Sequence, residues 1–149
     1  MKTFVMVVIL VQYLDKYLIA KRSSTKEFSP NEWEFISGFS EEKEPAEETI
    51  LRELREETSL QGEIVKSAKP FTIIDEETRW IILPYLINVN TNKFTINPSD
   101  HSEIKWINSN KFSNYPDLSQ CMKGFKEGKL SKARCALHPE GWSFSGSPT

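Results

Sequence analysis

Three glutamates lie close together in one short stretch of the sequence, at Glu53, Glu56 and Glu57. Apolar residues recur every four positions through the same stretch, which is the spacing of an amphipathic α-helix. Carboxylates three or four residues apart on a helix are neighbours, and their like charges repel each other. Hard divalent cations such as Mg²⁺ prefer carboxylate oxygen ligands. The residue types and their spacing therefore indicate a site for a divalent cation.

The positions of these glutamates around the helix argue against a purely solvated acidic face. With Ile50 at zero and about 100° per residue, Glu57 falls at about −20° and Glu53 at about −60°. Glu57 therefore continues the apolar stripe of Ala46, Ile50 and Leu54. Both glutamates also lie toward the helix C-terminus, where the macrodipole disfavours anions. A bound cation would offset each of these costs.

The surrounding segment holds much of the negative charge of the chain. Eight of the 23 residues from Gly38 to Leu60 are acidic and three are basic, whereas the whole chain of 149 residues has a net charge of −2. A segment of this kind is most often a solvated helix face. The rest of the chain is mildly basic and has no long basic run typical of a nucleic-acid groove, so we expect no nucleic-acid partner.

The same segment resembles the Nudix box, the motif G-x5-E-x7-R-E-U-x-E-E-x-G-U of the Nudix hydrolases, in which U is a bulky aliphatic residue. All specified positions match except one, where Ser59 replaces the family glycine. That glycine would adopt a left-handed conformation at the helix end, so a serine there should cost on the order of 1 kcal/mol. The matching residues are Gly38, Glu44, Arg52, Glu53, Leu54, Glu56, Glu57 and Leu60.

The resemblance implies a divalent metal site with a catalytic role. Glu53, Glu56 and Glu57 would bind Mg²⁺ or Mn²⁺, and one of them acts as the base in some members of the family. The carbonyl oxygen of Gly38 would be a further ligand, because a residue without a side chain lets the backbone approach an ion closely.

The resemblance also implies roles for residues around these ligands. Arg52 and Glu44 carry opposite charges and would hold the loop against the helix. For Glu103 two interpretations remain open, either a catalytic base or extra metal ligand, or a surface residue of a strand. Asp100 is a weaker candidate for the same catalytic role.

Substrate-binding residues are expected outside the box. Arg22, with Lys21 beside it, ends a predicted strand, and the two could bind phosphate oxygens or could be a solvated strand end. Trp33, Phe35 and Trp80 could stack on a base, or could pack in the core.

The implied reaction is metal-assisted hydrolysis of a diphosphate linked to another group. The residues Ile36-Ser37 before Gly38 differ from the Pro-Gly found at this point in many members that act on oxidised guanine nucleotides. They favour a nucleoside triphosphate pyrophosphohydrolase that releases pyrophosphate. The alternatives are a hydrolase of ADP-ribose, other nucleotide sugars or dinucleoside polyphosphates, and a non-catalytic nucleotide-sensing module. Such modules usually lose the box glutamates.

The elements that must position these residues can be predicted from hydrophobic periodicity and turn residues. We expect Gly38 to end its strand, and Pro84 to mark an edge strand or a bulge. Together the elements indicate an α+β protein, a Nudix-like α/β/α sandwich with a mixed β-sheet. Strands are predicted at 3–12, 16–22, 32–37, within 63–74, at 79–89 and at 103–107. Helices are predicted from Pro45 to about Thr58 and from Leu118 to Glu127.

Length and composition predict a single domain over residues 1–149, with an irregular tail at about 139–149. The apolar run from Phe4 to Val11 is too short to span a bilayer and has no cleavage site after it, so it indicates a buried strand and no membrane association. Cys121 and Cys135 are too few for a disulfide framework and favour the cytoplasm. With His138 they match no strong zinc pattern. A homodimer is compatible with the sequence.

Overall fold

The computed structural model describes residues 1–27, 29–74 and 76–120. Over these residues one mixed β-sheet is accompanied by a long α-helix and two short 3₁₀ helices. The helix α1 is Ala46–Thr58, and the 3₁₀ helices are Ser109–Asn114 and Pro116–Gln120. The strands are β1 (Lys2–Tyr13), β2 (Lys16–Arg22), β3 (Trp33–Glu34), β4 (Ile36–Phe39), β5 (Gly62–Ser67), β6 (Phe71–Ile74), β7 (Thr78–Val89) and β8 (His101–Asn108).

The sheet is built around β1 and β7, which run parallel along almost their whole length. The strand order is β3-β2-β1-β7-β5, with β4 also paired to β1, β6 to β7 and β8 to β2. A two-residue turn at Leu14 and Asp15 joins β1 to β2 in an antiparallel hairpin. Beyond the hairpin the two strands separate, and β4 pairs with β1 while β3 pairs with β2. This separation brings the start of the acidic segment next to the middle of the sheet.

The two faces of the sheet bury separate apolar clusters. One face of β1, which includes Val7, packs against Ile50 and Leu54 of α1. The other face, which includes Met6, packs against Phe112 of the first 3₁₀ helix. The predicted α+β architecture is confirmed, and among the described residues the two 3₁₀ helices form the layer opposite α1. None of the helices in the described part of the chain is long and apolar enough to cross a membrane.

Helix α1 begins and ends close to the predicted residues. Pro45 precedes the first helical residue with an extended backbone, at φ −63° and ψ 150°, and is therefore the N-cap. Ser59 follows the last turn at φ 62° and ψ 10°, and its N–H donates to the carbonyl of Arg55. The left-handed conformation expected at this position is therefore present with a serine in it.

Gly38 does not end its strand as the sequence suggested. The predicted strand 32–37 is interrupted at Phe35, and β4 continues through Gly38 to Phe39. Gly38 pairs with Val7 in the antiparallel ladder between β4 and β1. It therefore lies inside a strand, directly beside the central strand of the sheet.

The prediction that Pro84 marks an edge strand or a bulge is wrong. Strand β7 is interior, because β1 pairs with one side of it and β5 and β6 pair with the other. Pro84 lies opposite the break between β5 and β6, where its carbonyl accepts the N–H of Ala68 at 2.9 Å. No ladder bond needs the missing proline donor there. The bulge next to β7 lies on β5, between Ile64 and Lys66.

The second predicted helix, from Leu118 to Glu127, lies mostly outside the described residues. Its first residues belong to the 3₁₀ helix Pro116–Gln120. The cysteines, His138 and the predicted tail also lie outside the described part of the chain.

Replacing Ser59 by glycine should raise the free energy of unfolding by up to about 1 kcal/mol, because glycine adopts a positive φ without a Cβ penalty. The change also removes a hydrogen bond between the Ser59 and Thr95 hydroxyls, 2.6 Å apart. That bond is exposed, so its loss should offset only part of the gain. Ser59→Ala is the matched control, since it loses the hydroxyl and keeps the strain. Urea unfolding should rank glycine above serine above alanine, and a midpoint for Ser59→Gly below wild type would contradict this.

Candidate active site

A cleft of about 610 Å³ lies where β4 meets the second half of α1 and the residues that begin β8. Its lining is highly charged, and the two signs come from different parts of the chain. The acidic residues that line it are Glu34, Glu41, Glu53, Glu57 and Asp100. The basic ones are Arg22, Lys26 and Arg52, and His101 lies among them.

Gly38 makes room for the carboxylate of Glu53. A Cβ atom at position 38 would overlap the Glu53 carboxyl carbon and would lie 2.5 Å from its Cγ. Any side chain there would have to displace Glu53 from the cleft. The position of the Glu53 carboxylate in the cleft therefore requires glycine at residue 38, in addition to any backbone contact with an ion.

Arg52 joins the loop after β4 to helix α1. Its Nε and Nη2 donate to the two carboxylate oxygens of Glu44, at 2.7 and 2.9 Å. Nη2 also donates to the carbonyl of Phe39 at 3.1 Å. Glu44 accepts a further hydrogen bond from Thr49 at 2.7 Å. The hydrogen bonds from Arg52 and Thr49 lower the pKa of Glu44 to about 2, so the pair stays ionised.

The same guanidinium extends toward two of the predicted metal ligands. Its Nη1 donates to Glu53 at 2.9 Å and to Glu56 at 3.2 Å. Glu56 is more than half exposed, whereas the side chain of Glu53 is only 15% exposed. Burial raises the pKa of Glu53, and the hydrogen bond from Arg52 opposes that shift. Arg52 therefore supplies the positive charge between these two carboxylates.

Glu57 is the most deeply buried of the helix α1 carboxylates that line the cleft. It is 9% exposed, and its Oε2 atom is buried without a hydrogen-bond partner. Burial raises the pKa of Glu57 from 4.5 to about 9, and the nearby carboxylates of Glu34 and Glu53 add to the shift. The positive charge of Lys26 opposes it. The ionised form of Glu57 is therefore poorly compensated by the protein itself.

The cleft fits a divalent cation by the chemistry of its donors. Glu53 and Glu57 present carboxylate oxygens, and the orphaned Oε2 of Glu57 lacks the positive charge that a cation would provide. Oxygen ligands and several retained waters are what Mg²⁺ prefers. Over the described ranges, no three Asp, Glu, His or Cys side chains already converge on a common metal position. The ligand set would therefore have to gather around the ion as it binds.

A buried network around Glu34 was missed by the sequence analysis. The two carboxylate oxygens of Glu34 contact Arg22 at 3.1 Å and the Nε2 atom of His101 at 2.8 Å. Glu34 and His101 are almost fully buried. The alternation in Trp33–Phe35 could have flagged Glu34, because a polar residue between two aromatic ones faces the other side of a strand. Its pairing with His101 spans 67 positions in sequence and has no local signal.

The structure places Glu103 and Lys21 away from the cleft. They pair with each other across β8 and β2, and Lys21 also pairs with Trp33, on the sheet face opposite α1. Arg22 is the next residue of β2 and faces the other side of the sheet, where a register shift pairs it with His101 at the cleft. Glu103 is exposed, which agrees with its interpretation as a surface strand residue. This placement favours the surface interpretation of Glu103 over a catalytic base or extra metal ligand.

Asp100 does line the cleft, although the sequence indicated it less strongly than Glu103. Its Oδ1 atom lies 3.0 Å from the ammonium of Lys26, and both side chains are about one-third exposed. Lys26 was not among the predicted site residues. It belongs to the polar loop 23–31, where the spacing of residues gives no indication of a contact.

Two of the three predicted stacking residues belong to the core. Phe35 is fully buried and packs edge-on against Phe112, with ring centroids 5.8 Å apart. Trp80 is 6% exposed and packs in the same cluster. Neither ring presents a face to a base, so their assignment to substrate binding is wrong. Trp33 is partly exposed, but it lies outside the cleft lining and packs against Tyr115.

Comparisons with known proteins agree with this architecture. The sequence profile described as the NUDIX domain matches residues 2–127. An RNA pyrophosphohydrolase from Shewanella denitrificans is 29% identical over 106 residues, and the match covers 56% of this chain and 60% of that protein. The chain therefore spans less than two-thirds of the length of this curated relative.

Solved structures of similar fold carry the same family description. A MutT protein from Methanosarcina mazei superposes with a TM-score of 0.67 at 18% identity, covering 76% of this chain and 82% of that one. A MutT NUDIX hydrolase from Burkholderia pseudomallei gives a TM-score of 0.64 at 19% identity, covering 74% and 86%. Because the family profile covers most of the sequence, this chain belongs to the NUDIX domain family.

Glu57→Gln should stabilise the metal-free protein. With a pKa of about 9, Glu57 must take up a proton to stay buried in the metal-free protein at pH 7, whereas an amide needs no proton. We expect the free energy of unfolding to rise by about 1–3 kcal/mol, because part of the gain is lost if the amide finds no partner. Thermal unfolding in EDTA measures this. Glu48→Gln, at an exposed position in the first turn of α1, is the matched control and should not raise the melting temperature.

The pH dependence provides a second check on the same residue. The folded-state pKa lies above the unfolded value, so the folded state binds the proton more tightly, and the stability of the wild type should fall as pH rises from about 4.5 to about 9. In Glu57→Gln this part of the slope should disappear. An unchanged slope would mean that Glu57 is not the buried titrating group.

Proposed function

We propose that this protein is a divalent-metal-dependent hydrolase of substrates that contain a nucleoside diphosphate linkage, and that nucleoside triphosphates are its preferred class. The observation that carries the proposal is the buried Glu57 carboxylate. It lies in an open cleft beside Glu53 and lacks a counter-charge of its own. A solvated acidic helix would leave its carboxylates in water. A helix used only for packing would not place an uncompensated anion in a cleft.

Each residue around the cleft has a physical role in this proposal. Glu53 and Glu57, with Glu56 at the exposed side and the Gly38 carbonyl, would hold Mg²⁺ or Mn²⁺. When bound, the cation neutralises phosphate charge and makes a water molecule more acidic. Arg52 orients Glu53 through its hydrogen bond. The ion pair between Arg52 and Glu44 keeps the loop after β4 against the helix.

Several carboxylates could accept the proton of the attacking water. Glu53 and Glu57 line the cleft, and Asp100 lines its other side. Arg22 is on the same side as Asp100, where its positive charge suits the phosphate groups of a substrate. The exposed cleft is wide enough to leave the rest of the substrate in contact with solvent or with residues beyond the cleft.

The name of the Shewanella relative, RNA pyrophosphohydrolase, supports the same bond type on a larger substrate. A triphosphate at the 5′ end of an RNA would present the same phosphates to the cleft as a free nucleotide. This second candidate conflicts with our expectation of no nucleic-acid partner, so the substrate screen should include a 5′-triphosphorylated oligonucleotide. ADP-ribose, nucleotide sugars and dinucleoside polyphosphates belong in the same screen. A cytoplasmic location and a homodimer remain predictions.

Activity should require an added divalent cation. After exhaustive EDTA treatment and buffer exchange, we expect nucleotide hydrolysis to cease and to return with Mg²⁺ or Mn²⁺. Glu57→Gln and Glu53→Gln should lose most activity even at saturating metal, because each removes a charged ligand, typically a loss of about 10²-fold or more. Glu48→Gln should keep wild-type rates. Full turnover in EDTA would refute the metal requirement.

With a nucleoside triphosphate, the products should be pyrophosphate and a nucleoside monophosphate. The acidic helix and the polyphosphate are both anionic, so they can associate only through bridging cations. Such cations stabilise a large, multiply charged leaving group. Hydrolysis in ¹⁸O-water followed by mass spectrometry identifies both the product and the bond broken. Labelled orthophosphate as the dominant product would overturn this assignment without affecting the proposed metal ligands.

A further inference from the structure

We infer that Lys26 binds a phosphate group of the substrate and that it does so by exchanging Asp100 for the phosphate. This inference rests on the proposed function, since it identifies a specificity-determining residue of the same cleft. It concerns the side of the cleft formed by loop 23–31 and the residues that begin β8.

The Lys26–Asp100 pair is weak enough to exchange. The two charged groups lie 3.0 Å apart, and their side chains are 31% and 29% exposed. Ion pairs with this degree of exposure contribute little to stability. A phosphate oxygen is a comparable or better acceptor for an ammonium group and carries more negative charge around it. Replacing Asp100 by phosphate should therefore cost little.

The neighbouring pair on this side of the cleft is held differently. Glu34 is 6% exposed and contacts both Arg22 and His101. Separating Arg22 from it would leave a buried carboxylate short of one partner, which is expensive. Arg22 is therefore the fixed cation on this side of the cleft, and Lys26 is the exchangeable one.

Lys26 is positioned without help from the Asp100 side chain. Its N–H donates to the carbonyl of Ser23 at 3.1 Å, and the N–H of Ser23 donates to the main-chain carbonyl of Asp100 at 3.0 Å. The Ser23 hydroxyl is 2.9 Å from that of Thr25. The loop is thus attached to the start of β8 through the backbone. Removing the Asp100 carboxylate should leave the ammonium of Lys26 at the cleft.

Lys26 lines the same cleft as Glu53 and Glu57. A phosphate bound to Lys26 would therefore lie within electrostatic range of the acidic side of α1, on which the proposed cation binds. This arrangement suits a substrate with several consecutive phosphates, one end of which is held by Lys26.

Lys21 provides a matched control for this inference. It is a lysine only one residue before Arg22, but it lies on the opposite face of the sheet and outside the cleft lining. A general loss of positive charge would affect Lys21→Ala and Lys26→Ala alike, whereas a phosphate contact in the cleft would affect only the second.

The experiment measures binding of the non-hydrolysable α,β-methylene analogue of a nucleoside triphosphate by calorimetry, in Mg²⁺. We expect Lys26→Ala to weaken binding by about tenfold or more. Asp100→Asn should tighten binding, because it removes the competing carboxylate, and Lys21→Ala should leave it unchanged. For hydrolysis, Lys26→Ala should raise KM in the same proportion with kcat within a few-fold of wild type. Melting temperatures should change little in all three variants.

Exchange of Asp100 for phosphate predicts opposite effects on binding, weaker in Lys26→Ala and tighter in Asp100→Asn. If Lys26→Ala and Asp100→Asn weaken binding equally, the pair has a structural role or Asp100 contacts the cation, and the inference is wrong. Wild-type affinity in Lys26→Ala would also refute it. If the wild type binds the analogue through Lys26 but hydrolyses no diphosphate in the substrate screen, the phosphate contact stands and the proposed function fails.

Discussion

The buried carboxylate of Glu57 is the constraint on which the cleft depends. The apolar stripe of α1 packs Ile50 and Leu54 against the sheet, and the same helical periodicity carries Glu57 into a nearly water-free position one turn later. Its ionised form is disfavoured by burial and by the charges of Glu34 and Glu53. Without a cation, keeping Glu57 buried requires either an uncompensated charge or the uptake of a proton at neutral pH, and either costs a large fraction of the stability of a small domain. The rest of the helix must therefore be held firmly enough to bear that cost.

The Arg52 network supplies this support. Arg52 binds Glu44 through two hydrogen bonds and the carbonyl of Phe39 through a third, so the loop after β4 cannot separate from α1 without breaking all of them. Gly38 completes the arrangement, because any side chain at that position would collide with Glu53. The network holds the loop after β4 against α1, and the glycine leaves the space that the Glu53 carboxylate occupies in the cleft.

The part of the site that could be predicted from sequence is the part that lies on one helix and its preceding loop. Helical geometry fixes the relation between Glu53 and Glu57, and the spacing from Gly38 to Arg52 is local as well. Site residues on strands were harder to predict, because the side of the sheet that each one faces depends on how the strands pair and pack. Lys21 and Arg22 are adjacent on β2 and therefore face opposite sides of the sheet, but which of them faces the cleft depends on tertiary packing. The register shift pairs Arg22 with His101 instead of Ser102, and no local pattern encodes that shift.

The same limit explains the other errors and omissions. Phe35 and Glu34 are adjacent on one short segment, so they face opposite sides of the sheet. Assigning Phe35 to the core would have placed Glu34 toward α1, but Phe35 was given a possible role in stacking on a base instead. Pro84 suggested an edge strand because a proline lacks a donor, yet the break between β5 and β6 provides an interior position where no donor is needed. In both cases the local rule is correct, but applying it requires the tertiary structure around the residue, which the local sequence does not give.

The distribution of charge across the cleft indicates why both of its sides matter. The helix side is anionic and the substrate is anionic, so they cannot meet without cations between them. The opposite side carries cations, but in the protein alone each is paired with a carboxylate, Arg22 with Glu34 and Lys26 with Asp100. This pairing keeps the basic side from collapsing onto the acidic helix and satisfying Glu57 internally. A cleft of this kind stays open because the cations of its basic side are already paired, and a substrate with its metal then supplies the positive charge that the acidic side lacks.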